Sequence, residues 1–194
     1  IARRQRQMCI RDRCYNTSGG FLHTPLEQLL VNAAASRERG IGGIKLKVGQ
    51  PDHALDIRRV EAVRKHLGDE VPIMIDANQQ WDRPTAQRMC RVFERFNLVW
   101  IEEPLDAYDY EGHAALAAHF DTPIATGEML TSAAEHGELI RHRAADYLMP
   151  DAPRVGGITP FLKIAAQAEQ AGLSLGPHFA MELHVHLAAA YATE

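Results

Sequence analysis

Polar side chains able to do chemistry fall at six near-evenly spaced places, each closing a short apolar run. They are Lys45 and Lys47 in GGIKLKVG, Asp76 in VPIMIDAN, Glu102 in LVWIEEP, Glu128 in PIATGE, Asp151 in YLMPD and His178 in LSLGPH. From Lys45 onward the steps are 31, 26, 26, 23 and 27 residues. Asp76, Glu102 and Glu128 are carboxylates on three successive runs. Three acids held together repel unless a cation neutralises them, and all-oxygen ligation selects a hard cation such as Mg2+. Asp76, Glu102 and Glu128 are therefore the expected metal ligands. Glu103, next along a strand from Glu102, points the other way by alternation and is expected to support the ligands from behind or to be structural.

Lys45 and Lys47 are two residues apart on one run, so as strand residues they share a face. One ammonium can hold a substrate carboxylate. The other, with its pKa depressed by its neighbour and by burial, can act as a base. Asp151 and His178 close neighbouring runs, and a carboxylate beside an imidazole fixes its tautomer and raises its basicity. Lys47 and His178 can then flank one carbon from opposite faces. Loss of a proton α to a carboxylate gives an enediolate, which Mg2+ and Lys45 can stabilise. The second acid/base can return a proton or expel a β-hydroxyl. His184 and His186, further along, are expected to be packing or surface residues.

The elements that position these groups follow from the interval, which is about one strand plus one helix. The apolar runs read as strands buried on both faces of a parallel sheet. Between them lie helical patterns. Thr24-Pro25-Leu26-Glu27 reads as a capping box opening a helix that stops at Gly40. Further helices are expected over Asp52 to Leu67, Pro84 to Phe96, Glu111 to His119, Ser132 to Arg143 with Thr131 as cap, and Thr159 to Ala171. MELHVHLAAAY begins another. A doubly wound sheet gathers its ligands at one switch point. Functional residues on strand after strand instead predict an α/β fold of the TIM type, a partial (β/α) barrel with one shared mouth.

A complete barrel takes about 250 residues, and this chain has 194. It is 46% hydrophobic with a net charge of -4, which fits a globular chain with no basic stripe for nucleic acid. No run approaches the roughly 20 apolar residues of a membrane span. Cys9, Cys14 and Cys90 form no disulfide or metal pattern, so a cytoplasmic setting is expected. The opening IARRQRQMCIRDR (residues 1–13) is arginine-rich and aperiodic. It reads as a non-native segment joined to the domain that starts at residue 14.

The Lys-x-Lys strand, the Asp/Glu/Glu set and the Asp–His pair resemble the mandelate racemase subgroup of the enolase superfamily. The muconate-cycloisomerase-like subgroup shares the lysines and acids but has a lysine where this chain has Asp151. Longer stretches, among them CYNTSGGFLHTPLEQLL, DANQQWDR, TPIATGEMLTS, PDAPRVGGITPFLKI and PHFAMELHVHLAAAY, are similar to the L-talarate/galactarate dehydratase family. The resemblance covers residues 14–194. It implies a Mg2+-dependent hydro-lyase that dehydrates aldarates to 2-keto-3-deoxy diacids with some epimerisation. It implies metal binding by Asp76, Glu102 and Glu128, substrate contact by Lys45 and Asn78, and acid/base roles for Lys47 and for His178 oriented by Asp151. The barrel would be of the (β/α)7β kind, usually in a homo-oligomer. The family's capping domain and last strand, with its Glu, fall outside the sequence, so a fragment that binds metal without turnover is one expectation. Another acid-sugar dehydratase or racemase of the subgroup is the other alternative.

Overall fold

A computed structural model describes residues 15–17 and 19–191. The expectation for residues 1–13, like Cys9 and Cys14, lies outside them. Strands and helices alternate in chain order: β1 (Tyr15–Asn16), α1 (Leu26–Glu38), β2 (Gly43–Lys47), α2 (His53–Leu67), β3 (Ile73–Asp76) and α3 (Arg83–Phe93). A 3-10 turn (Glu94–Phe96), β4 (Ile101–Glu102), α4 (Tyr110–His119), β5 (Ile124–Thr126) and α5 (Ala133–His142) follow. The series ends with β6 (Tyr147–Leu148), α6 (Ile158–Ala171), β7 (Ser174–Leu175) and α7 (Met181–Ala188). No described helix is long and apolar enough to cross a membrane.

The chain divides into two compact units. The first holds residues 13–106 and 118–123. Its strands pair in parallel in sequence order, with Lys45 opposite Met74, Lys47 opposite Asp76, and Asp76 opposite Glu102. Sequential parallel order without reversal is that of a (β/α) barrel and not of a doubly wound sheet. Ile44, Leu46, Ile73, Ile75 and Ile101 are each at most 1% exposed, as strands covered on both faces require. The Asp52 side chain caps α2 through Ala54 N, and Asp82 caps α3 through Thr85 N. The Thr24 capping box does not form, because α1 begins at Leu26 with Pro25 in the cap position and no side-chain cap bond. The Thr24 carbonyl is taken instead by the Arg59 guanidinium, which also donates to Phe21 O at 2.7 Å.

Arg64 ties this unit's lower loops together. Its guanidinium donates to the carbonyls of Phe96 (2.9 Å), Gly68 (2.9 Å), Asp69 (3.3 Å), Val71 (2.7 Å) and Asn97 (2.8 Å). Arg64→Met keeps the stem packing and strands these acceptors. The expected loss is about 3 kcal/mol, read as a lower urea midpoint with unchanged slope. Cys90 is fully buried, and burial, with the nearby Glu94 charge, pushes its thiol up to about 12.

The second unit holds residues 107–117 and 124 onward. Its strands β5, β6 and β7 also pair in parallel and in sequence order. Its core includes Leu130, Leu139, Leu148, Phe161 and Ile164. The cap of α5 is Ser132, which accepts from Glu135 N, and not Thr131 as expected. Thr131 N instead donates to the Glu135 carboxylate at 2.6 Å. Both units thus carry the strand–helix repeat of a partial (β/α) barrel, the α/β class that the spacing predicts.

Candidate active site

In the first unit, strand alternation points Lys45 and Lys47 to one face, and both reach the same atom. Lys47 Nζ lies 2.5 Å from Asp76 Oδ2, and Lys45 Nζ lies 3.2 Å from it. Lys45 also donates to Glu102 Oε1 at 2.5 Å. The parallel register makes this possible, since it sets Lys47, Asp76 and Glu102 side by side on three strands. The remaining carboxylate oxygens are held too. Asp76 Oδ1 accepts from Asn78 N at 2.9 Å, and Glu102 Oε2 accepts from the indole N–H of Trp100 at 3.0 Å.

Asp76 and Glu102 are fully buried and Lys45 is 5% exposed. Burial alone pulls the Lys45 pKa down, but the charges of Glu102 and Asp76 outweigh it and hold the ammonium above its ordinary value. Burial likewise pushes Asp76 up, and the charges of Lys45 and Lys47 overcome it to leave the carboxyl below its usual range. Lys45 is therefore held as a cation between the two carboxylates.

Turn geometry shapes the mouth of this unit. Asn78 and Gln79 both have positive φ, 43° and 63°, folding the backbone back so that Asn78 N meets Asp76. Glu103 has φ 41°, which ends β4 directly after Glu102. Its carboxylate accepts from the Gln79 amide at 3.1 Å and its carbonyl from Gln79 N at 2.8 Å, the structural role expected of it. After β2, Gly49 turns at φ 103°, and its N–H and that of Gln50 each donate to the buried Asp56 carboxylate at 2.8 Å.

In the second unit, Glu128, Asp151 and His178 lie in the loops just past β5, β6 and β7, two to three residues beyond the strand ends. His178 Nδ1 is 2.8 Å from Asp151 Oδ2, and Nε2 is 3.3 Å from Glu128 Oε2. A carboxylate that accepts at Nδ1 selects the tautomer with its proton there, which leaves Nε2, beside Glu128, as the other nitrogen of the ring. Gly127 sets Glu128 with a backbone at φ 127° that favours glycine, and an added Cβ there would come within 3.2 Å of His136 Nε2. Glu128 is 6% exposed, and its buried Oε2 has no hydrogen-bond partner among the described residues. A buried carboxylate oxygen that faces the His178 ring nitrogen at 3.3 Å without a hydrogen bond is costly unless a cation meets it. That observation fits a metal ligand.

Each expected site residue thus has a defined place. Lys45, Lys47, Asp76, Glu102 and Asn78 gather in one unit, and Glu128, Asp151 and His178 in the other. Two participants escape sequence reasoning: Trp100, which holds Glu102, and His184, which the pattern reads as packing.

The profile of the enolase C-terminal domain-like family matches residues 28–194. Among curated proteins, the chain is 70% identical over 182 residues to the L-talarate/galactarate dehydratase of Salmonella typhimurium strain LT2, covering 94% of this chain and 46% of that protein. It is 38% identical to the 3,6-anhydro-alpha-L-galactonate cycloisomerase of Streptomyces coelicolor, over 87% of this chain and 47% of that protein. Among solved structures it superposes with a TM-score of 0.92 on an L-talarate dehydratase from Polaromonas sp. JS666 complexed with Mg and L-glucarate. That match has 87% identity and covers 94% of this chain and 51% of the other. The chain spans about half the length of these relatives.

Proposed function

The chain belongs to the enolase C-terminal domain-like family, and from that premise we propose that the protein carrying it is a Mg2+-dependent acid-sugar dehydratase acting on galactarate and L-talarate. It would be a carbon–oxygen hydro-lyase that also epimerises some substrate. The observation that carries the reading is the 70% identity to a dehydratase of these two diacids. The residue chemistry supports it. Asp76, Glu102 and Glu128 would hold Mg2+, which when bound would supply positive charge to the substrate carboxylate.

The chain's own groups supply the rest. Lys45, held cationic by Glu102 and Asp76, would share the carboxylate's growing charge with Asn78. Lys47 and His178 are the acid/base pair. One takes the α-proton, and the C–H electrons pass into the enediolate. The β C–O bond then breaks, and the leaving hydroxyl departs as water with a proton from the acid. The enol left behind tautomerises to the 2-keto-3-deoxy diacid. Asp151 would keep the His178 ring in the tautomer that leaves Nε2 to work. The configuration at the α-carbon decides which of the pair faces the proton.

Buried free Cys90 fits a reducing cytoplasm, and the protein is expected to form a homo-oligomer. The test is a panel of aldarates and aldonates with Mg2+, scored for 2-keto-3-deoxy product. Galactarate and L-talarate are expected to lead it. Turnover confined to other acids would move the assignment to another dehydratase or racemase of the subgroup, the reading that the cycloisomerase similarity keeps in view.

The metal assignment has its own expected result. Mg2+ should raise the melting temperature of the protein, and Glu128→Gln should abolish most of that rise while leaving the melting temperature in EDTA at or above the wild-type value. The expectation follows from mass action on a ligand that binds only the native state. An undiminished Mg2+ shift in Glu128→Gln contradicts it.

A further inference from the structure

His184 belongs to no step of the proposed chemistry, yet it is 3% exposed and both its ring nitrogens are engaged. Ala152 N–H donates to His184 Nε2 at 3.1 Å. An imidazole nitrogen that accepts is unprotonated, so the ring proton sits on Nδ1. Nδ1 then donates to the carbonyl of Phe179 at 2.9 Å. The ring lies against Phe161, with centroids 5.4 Å apart and planes 28° from parallel. Burial lowers the His184 pKa, which keeps the ring neutral and able to accept.

The two partners give this residue its meaning. Ala152 follows Asp151 and Phe179 follows His178 in the chain. One imidazole therefore bridges the loop that carries the carboxylate to the loop that carries the acid/base. The second loop is strained, since Phe179 has φ 51° and Ala180 φ 32°, both left-handed and neither a glycine. Such a turn persists only where its surroundings over-determine it. His184 Nδ1–H on the Phe179 carbonyl is such a contact. His178 N–H on Pro150 O at 3.1 Å adds a backbone tie between the same two loops.

We propose that His184 is the positioning residue of the Asp151–His178 pair, holding its two loops at the spacing that keeps His178 Nδ1 hydrogen-bonded to Asp151. Its kinetic consequence rests on the dehydratase reading, while its structural consequence does not. His184→Phe keeps the volume and the stacking on Phe161 but strands Ala152 N–H and the Phe179 carbonyl. His184→Gln carries one donor and one acceptor and can serve both. His184→Asn, too short to span both, replaces the Phe variant if that variant does not melt cooperatively.

The probe is the Nδ1-bound proton of His178 in protein labelled with 15N-histidine. The wild type and His184→Gln are expected to show it protected and far downfield. In His184→Phe its exchange with water should quicken by about tenfold or more. In turnover, His184→Phe should lose about tenfold in kcat with KM within about twofold, the pattern of a displaced acid/base group, and His184→Gln should recover most of it. A folded His184→Phe with the His178 proton protected as in wild type overturns the proposal, as does a folded His184→Gln that loses the resonance as fully as the Phe variant. If no acid sugar is turned over at all, the dehydratase reading falls and the resonance still decides this one.

Discussion

Lys45→Met is expected to cost the protein about 3–5 kcal/mol of stability, the scale of breaking a buried ion pair from one side. Asp76 and Glu102 are fully buried, and Lys45 touches both carboxylates. Methionine fills the stem's space but leaves Glu102 Oε1 without its 2.5 Å partner. Asp76 retains Lys47, so the penalty falls mainly on Glu102. A double-mutant cycle separates the pair from the packing. Lys45→Met combined with Glu102→Gln should be less destabilised than the sum of the singles, because the amide needs no counter-charge. Urea unfolding in EDTA, followed by tryptophan fluorescence, is a fitting readout, since Trp100 itself donates to Glu102. A loss below about 1 kcal/mol for Lys45→Met would mean that water reaches and solvates this cluster.

Lys47→Met and His178→Asn are each expected to cut dehydration by about 10²–10⁴-fold, the usual contribution of a positioned acid or base. Their effects should differ in kind. The two groups are assigned to opposite faces of the α-carbon, so each substitution should abolish solvent exchange at one α-configuration and spare it at the other. Epimerisation needs both and should vanish in either variant. Lys47→Met also frees one contact on Asp76 Oδ2, where Lys45 remains at 3.2 Å, so its stability cost should stay smaller than that of Lys45→Met. Equal loss of exchange at both configurations in both variants would dissolve the two-face assignment. The comparison uses the two epimeric diacids in D2O, followed by loss of their α-proton signals.

Much of this site is legible in the sequence because strand geometry has a period of two and a parallel register. Lys45 and Lys47 had to share a face, and their shared contact with Asp76 follows. The strand-end rhythm holds for Asp76 and Glu102, which close β3 and β4. It is looser for Glu128, Asp151 and His178, which sit in the loops beyond, where backbone turns such as Gly127 do the aiming. Caps chosen by local pattern succeed where nothing distant competes, as at Asp52. They fail at Thr24, where Arg59, 35 residues on, claims the carbonyl. His184 is illegible for the same reason. Its acceptor role depends on Ala152, 32 residues back, and a lone histidine on an amphipathic helix carries no local sign of that.

Mg2+-dependent removal of a proton α to a carboxylate is the proposed chemistry. It is tested most directly by proton NMR of galactarate in D2O with the protein carrying this chain. With Mg2+, loss of the α-proton signal and the appearance of the 2-keto-3-deoxy diacid are expected, both stopped by EDTA. Unchanged α-proton intensity with no product in the Mg2+-loaded, folded protein would contradict it.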